Sequence, residues 1–445
     1  MQTRRDHVQA YQFAMGRLAS ALVSGDPGRG DSPTRRSALG SVFGVGVAVL
    51  LCAGFGVYGL ISPVAKDDWR KDGAIVLEED TGNRYVYANG ELRPVRNYAS
   101  ALLIAGKRTA PETVSAKSLA GVPHGIPVGI QGAPDTVPTT SALATGAWAR
   151  CLPAGNGPAG KESGGEEPAG RGQALLFGGP AAALAGLPAD RQVLLAGPGK
   201  SRYLLLRGVK YPVPGASTLI ALGLDGQAAL PATADWLAAV PTGAALTAPV
   251  PAGAGKPAGQ VAGQATKVGQ VFRTSTDGSV HYYVMRADGV ARVNATEYAL
   301  LAARPGAPAP RRVGQSDIAA AAVSADDAPT GRMPDLTGVR ALAGGTVCLT
   351  EAADGGARIT VGGAGAGGIV LPAGGGVLAV PHGSSAGDRT EYLITEQGLK
   401  YRIADTDAER ALGFGDGKHR VTLPAGVLAL VPDGPVLSRA AAAKG

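Results

Sequence analysis

Three short stretches of this sequence carry residue types that could do chemistry. The first, Gly199-Lys200-Ser201, supplies the last three letters of the phosphate-binding pattern G-x-x-x-x-G-K-[ST]. That pattern requires a glycine at position 194, where Leu194 stands. It also requires a helix after the lysine, whose free N–H groups face the phosphate. Here Tyr203-Leu204-Leu205-Leu206 reads as a strand, so the stretch is expected to be a turn entering a hairpin, with Lys200 in solvent. The second stretch, Gly363 to Gly368, satisfies G-x-G-x-x-G in form. A strand-like run follows it, and the acidic residue of a dinucleotide site is missing. The third, Glu166-Glu167, lies in a Gly- and Pro-rich run with no sign of a held acid/base pair. The five histidines, His7, His124, His281, His382 and His419, form no metal-binding spacing. No G-x-S-x-G nucleophile elbow is present. No catalytic residue, metal site or cofactor is expected, and an enzymatic role is the weakest reading of the chain.

Composition narrows the class. A chain of 445 residues suggests roughly two to four domains. With 68 Gly, 32 Pro and 5% aromatic residues, it fits many short strands joined by turns. The net charge of +7 is spread along the chain, with no basic run of the kind that marks nucleic-acid binding.

One segment sets the compartment. From Ser37 to Ala65 there is no charged residue, and a helix needs about 20 apolar residues to cross a bilayer. Its glycines weaken a soluble helix but suit close packing in lipid. The long leader before it, and the absence of an A-x-A site after it, argue against a cleaved signal peptide. Leu51 before Cys52 argues against a lipoprotein. Arg4, Arg5, Arg17, Arg29, Arg35 and Arg36 precede the span. Lys66, Arg70 and Lys71 follow it, mixed with three aspartates. The positive-inside rule then puts the N-terminus in the cytoplasm and the bulk of the chain outside. In an oxidising compartment Cys151 and Cys348 favour pairing, with two buried free thiols as the alternative.

The elements follow from spacing. In the N-terminal segment Val8, Tyr11, Met15, Leu18 and Leu22 recur at steps of three and four, which places them on one face of a helix. Such a face suits a lipid surface or a partner protein equally. Beyond the span, one pattern occurs four times. A strand led by Tyr85, Tyr203, Tyr283 or Tyr392 runs into a turn at Gly90, Gly208, Gly289 or Gly398. A second strand ends at Val95, Val213, Val293 or Ile403, and an Ala/Leu helix follows. Asn294 and Asp405 stand where helix N-caps belong. Closing segments begin at Leu119, Leu237 and Val421. The third unit lacks a clear one, and its tail, 303–317, reads as loop or linker. Cys151 and Cys348 belong to two inserts between the units, so a bond between them would build one central domain.

The ordered features resemble a known family. They are the opening RRDHVQAYQF, a single span, GNRYVYANGELRPVRNYASALLI, GIPVGIQGAPD, Trp148-x-x-Cys151, HYYVMRADGVARV, Cys348, LPAGGGVLAV and VTLPAGVLALVPDGP. Together they look like EccB, the single-pass membrane component of the type VII (ESX) secretion system of actinobacteria. The resemblance implies an α+β chain: a cytoplasmic amphipathic helix, one transmembrane helix, and an elongated extracytoplasmic region of a mainly β central domain plus four hairpin-helix repeats. The expected boundaries are 1–36 and 37–65 for the helices. Repeats occupy 66–145, 199–258, 259–330 and 387–445, and the central domain 146–198 and 331–386. The resemblance further implies the Cys151–Cys348 disulfide and assembly with EccC, EccD, EccE and further EccB copies. Arg4, Arg5 and the apolar face of the first helix would then meet partner subunits. Some family members are labelled ATPases. A membrane-anchored protein that holds cell-wall peptidoglycan is the alternative.

Overall fold

The computed structural model describes residues 4–25, 34–61, 68–152, 173–325, 333–351, 356–363, 367–383 and 390–444. These fall into two bodies, residues 1–68 with 114–121, and residues 69–113 with 122–445. Glu166, Glu167, Arg29 and Lys66 lie outside the described residues.

The first body contains two long helices, α1 (Arg4–Ser24) and α2 (Thr34–Ile61). Within α2 the stretch Leu39–Tyr58 is long and apolar enough to cross a membrane, and none of it is buried. The expected apolar face of α1 is entirely exposed, with Val8 at 56%, Met15 at 50% and Leu22 at 83%.

The second body is mainly β. Each repeat starts from three antiparallel strands whose alternating residues face a short helix. In repeat 1 the strands are Ala74–Glu78, Arg84–Ala88 and Glu91–Pro94, followed by α3 (Tyr98–Ala105). Repeat 2 has Arg191–Ala196, Arg202–Leu206 and Val209–Val213, then α4 (Ala216–Ala221). Repeat 3 has Val271–Thr276, Ser279–Met285 and Val290–Val293, then α5 (Ala295–Ala302). Repeat 4 has Gly376–Pro381, Glu391–Thr395 and Lys400–Ile403, then α6 (Thr406–Leu412). In repeats 2, 3 and 4 a further short strand returns parallel to the first strand. Asn294 and Asp405 cap α5 and α6 by accepting from Glu297 N and Ala408 N, as their positions predict.

Two differences from the sequence reading concern strand membership. The first strands of repeats 2 and 4, Arg191–Ala196 and Gly376–Pro381, pair with the strands after them, across the expected boundaries at 198 and 386. Their inner residues are buried without alternation, so a period-2 pattern does not mark them. Repeat 3 also closes after all. Arg311–Arg312 within its supposed linker pairs with Phe272 and Arg273, and Val323 bridges Val290.

The closing segment is the same device in all four repeats. The amide of Leu92, Lys210, Val290 or Lys400 donates to the carbonyl of Pro123, Pro241, Ala322 or Pro432. Two residues later the amide of Gly125, Gly243, Ser324 or Gly434 donates back to the carbonyl of that same residue. Repeats 1, 2 and 4 spell this V-P-x-G, whereas repeat 3 spells it Ala321-Ala322-Val323-Ser324, which conceals it.

A six-stranded sheet forms the hub. Its centre is built from Trp148–Cys151, Ala174–Phe177, Thr346–Glu351 and Ala357–Gly362, with Gly368–Val370 and Ala185–Gly186 at the edges. Sequence-distant segments therefore interleave in one sheet.

Candidate functional site

The hub is where the chain's distant parts are held together. Cys151 and Cys348 lie directly opposite on adjacent antiparallel strands, their Cα atoms 3.9 Å apart, and form a disulfide across 197 residues of sequence. Strand alternation puts the bond on one face of the sheet, packed with Ala149, Ala174, Leu176 and Ala181.

The other face receives two repeats. Trp148, Leu175 and Phe177 pack against Val377, Ile394 and Leu423 of repeat 4. Leu152, Val347 and Leu349 pack against Val193, Leu205 and Trp236 of repeat 2. Arg150 stands between them, in register with Leu175 on one side and Leu349 on the other. Its guanidinium donates to Asp235 O, and the Trp236 indole N–H donates to Arg150 O. Burial pushes the Arg150 guanidinium below the ordinary arginine value, against the pull of Asp235 and Glu351. Burial likewise raises the Glu351 carboxyl, although Arg150 and His382 act to lower it.

The repeats then pair through their helices. Repeats 1 and 4 share one core, with Leu102 and Leu103 from α3 and Ala408, Ala411 and Leu412 from α6. Two arginines exchange across it. Arg108 of repeat 1 donates to Leu412 O at the end of α6, and Arg439 donates to Leu103 O near the end of α3. Repeats 2 and 3 meet through Leu219 of α4 and Leu300 of α5.

The signature residues take equivalent places. Tyr85, Tyr203, Tyr283 and Tyr392 are half-buried on each second strand. Each sits opposite the residue just before Val95, Val213, Val293 or Ile403. Gly90 and Gly208 have φ of 81° and 77°, the left-handed turn that a tight hairpin needs. Gly289 and Gly398 turn the other two hairpins.

Sequence reasoning missed Lys210 and Lys400. Both are buried, and they occupy one equivalent position in repeats 2 and 4, the two repeats that sit on the hub. Lys210 Nζ donates to Val240 O and Thr242 Oγ1, and Lys400 Nζ donates to Val431 O and pairs with Asp433 at 3.0 Å. Burial lowers the Lys210 ammonium from the usual lysine value. Repeats 1 and 3 carry Leu92 and Val290 at this place.

Gly199 and Lys200 belong to a single 3-10 turn, Pro198–Lys200, with φ of 63° at both, and Ser201 follows it in extended conformation. Ser201 Oγ donates to Pro198 O, and the strand Arg202–Leu206 follows at once. Lys200 is exposed. A strand, rather than the helix that the phosphate-binding pattern requires, follows the lysine. Gly368 of the second glycine motif begins an edge strand of the hub.

Four like-built repeats, two of them seated on a disulfide-stapled sheet, in a chain with one helix among the described residues long and apolar enough to span a bilayer, define a repeat protein of the membrane-associated class. The sequence profile "Type VII secretion system ESX-1, transport TM domain B" matches residues 1–362 and 346–445, and the chain belongs to this EccB family. It is 35% identical to the ESX-5 secretion system ATPase EccB5 of Mycobacterium marinum over 33% of this chain, which spans 28% of that relative's length. To the ESX-1 secretion system ATPase EccB1 of Mycolicibacterium smegmatis it is 27% identical, across 99% of this chain and 94% of the relative. The fold is similar to a chain of an intact ESX-5 inner membrane complex, with TM-score 0.51 and 24% identity over 99% of this chain and 95% of that one. It is also similar to a chain of the periplasmic assembly of that complex, with TM-score 0.55 and 22% identity over 86% and 98%.

Proposed function

We propose that this chain is a structural, membrane-anchored subunit of a type VII secretion complex, working with EccC, EccD, EccE and further EccB copies. In this reading α2 spans the bilayer with α1 in the cytoplasm and the four repeats outside. The observation that carries the reading is the exposed stripe Val8, Tyr11, Met15, Leu18 and Leu22 on α1. An apolar face of that length needs a cover in water, and the family context supplies partner subunits rather than lipid. Arg4 and Arg5 head the same helix and would pair with acidic groups of the subunit that seats it. The repeats and the central domain then act as a rigid outer scaffold, and ATP turnover belongs elsewhere in the assembly.

Purification of the full-length protein from native membranes in mild detergent tests this. The wild type is expected to elute in a large assembly, and Leu18→Asp with Leu22→Asp to shift it to free protein while its outer repeats stay folded. A lone monomer that pellets on purified cell wall would overturn the reading in favour of a wall-binding protein.

A further inference from the structure

The third repeat differs from the others in one row of side chains across its sheet. Arg312 lies directly beside Arg273 on the parallel closing pair, Arg273 faces Tyr282, and Tyr282 faces Val293. Tyr298 of α5 stands over the row, its ring 4.6 Å from that of Tyr282. Both arginines act on the Tyr298 phenol, where burial raises the pKa and the two positive charges lower it. Like charges directly opposite in a sheet repel. Neither guanidinium forms an ion pair among the described residues.

The other repeats do not do this. The residue just before the signature tyrosine is Arg84, Arg202, Tyr282 and Glu391 in turn. Arg84 is paired with Asp135 and Glu391 with Arg420. Arg202 faces Ala196, which in turn adjoins Pro231, so the row in repeat 2 holds one cation. Among the described residues, only repeat 3 sets two cations without an ion-pair partner against an aromatic pair. Tyr282 also lines an open cleft of about 750 Å³ that reaches His281, Arg292 and Asn294 at the sheet edge. Asp335 lines it too, but its carboxylate already accepts from the Thr337 amide and hydroxyl.

We infer that this face of repeat 3 is a binding site for an anionic saccharide, a sugar bearing phosphate or carboxylate. Two arginines at neighbouring positions of adjacent strands supply the donors that match the oxygens of such an anion. The adjoining tyrosines offer ring faces for a sugar, and the cleft that Tyr282 lines extends this surface toward the sheet edge. The inference is independent of how α1 is covered and goes beyond the scaffold role.

The test uses the full-length protein in phosphatidylcholine nanodiscs at low salt, titrated calorimetrically with α-D-glucose 1-phosphate, inorganic phosphate, glucose and polyglutamate. Glucose 1-phosphate is expected to bind at least tenfold more tightly than phosphate or glucose. Arg273→Gln and Arg312→Gln should each weaken it about tenfold, about 1.4 kcal/mol, and added salt should weaken it further. Tyr298→Leu should lower affinity for the sugar phosphate and leave phosphate unchanged. Arg312 is exposed, so Arg312→Gln decides the matter even if Arg273→Gln misfolds. Equal binding of inorganic phosphate, preference for polyglutamate, absence of binding, or full affinity in a folded Arg312→Gln protein would each overturn the inference.

Discussion

At the scale of single residues, equivalent positions carry different loads. Gly243 and Gly434 occupy the same place in the V-P-x-G segments of repeats 2 and 4. A methyl group on either would run into a tyrosine ring, Tyr211 for the first and Tyr401 for the second. Tyr211 is half-buried and can swing away, whereas Tyr401 is only 2% exposed and packed in the core shared by repeats 1 and 4. Gly434→Ala is therefore expected to cost about 1–3 kcal/mol through overpacking, and Gly243→Ala clearly less. Denaturant midpoints of the two variants check this, and equal losses would contradict it. Residue-level legibility was uneven in the same way. The caps Asn294 and Asp405 could be read from the sequence because a side-chain acceptor before a helical run has one main use. The buried lysines could not, because a single charged residue looks solvated until the carbonyls around it are known.

At the scale of elements, the arginine exchange between α3 and α6 fixes two helix ends at once. Arg108 donates to Leu412 O and also to Val137 O and Pro138 O, while Arg439 reaches Leu103 O. Removing either side chain leaves carbonyls without donors, so Arg108→Ala and Arg439→Ala should each destabilise by about 1–3 kcal/mol. Because both act on one interface, the double variant should depart from additivity. A double-mutant cycle by chemical unfolding would read this, and strict additivity would show the two ends to be independent. The hairpin-helix pattern itself was plain in the sequence, since Tyr, Gly and Val mark strand, turn and strand. The strand before the hairpin in repeats 2 and 4 was not, because the inner residues of Arg191–Ala196 and Gly376–Pro381 are buried on both faces without alternation. The closure of repeat 3 was hidden by the replacement of Pro and Gly with Ala322 and Ser324.

At the scale of the whole second body, the hub gathers strands from both inserts and seats repeats 2 and 4 on one face. The disulfide on the opposite face closes 197 residues of chain. In the chain-entropy account a loop of that size is worth about 5 kcal/mol at most, and about 2–4 is typical. Cys151→Ser with Cys348→Ser should lower the unfolding free energy by about that amount, and reductant should do the same to the wild type. A loss well under 1 kcal/mol would mean that strand pairing alone holds the hub. That the two cysteines meet was readable from compartment and family likeness. That repeat 1 pairs with 4, and 2 with 3, was not, because contacts between helices hundreds of residues apart leave no local periodicity.

The arginine exchange also bears on the order in which the protein is made. Leu103 O waits for Arg439, which is synthesised 336 residues later. The amide of Gly129 in repeat 1 likewise donates to Lys444 O. Repeat 1 leaves the ribosome first among the four repeats but is completed last. Until repeat 4 has been made, the part of the shared apolar core that α3 supplies stands open. Repeats 2 and 3 can close on each other in the meantime. Maturation would then be an all-or-nothing clasp, and a chain stalled before residue 439 would present an unfinished first repeat to quality-control proteases.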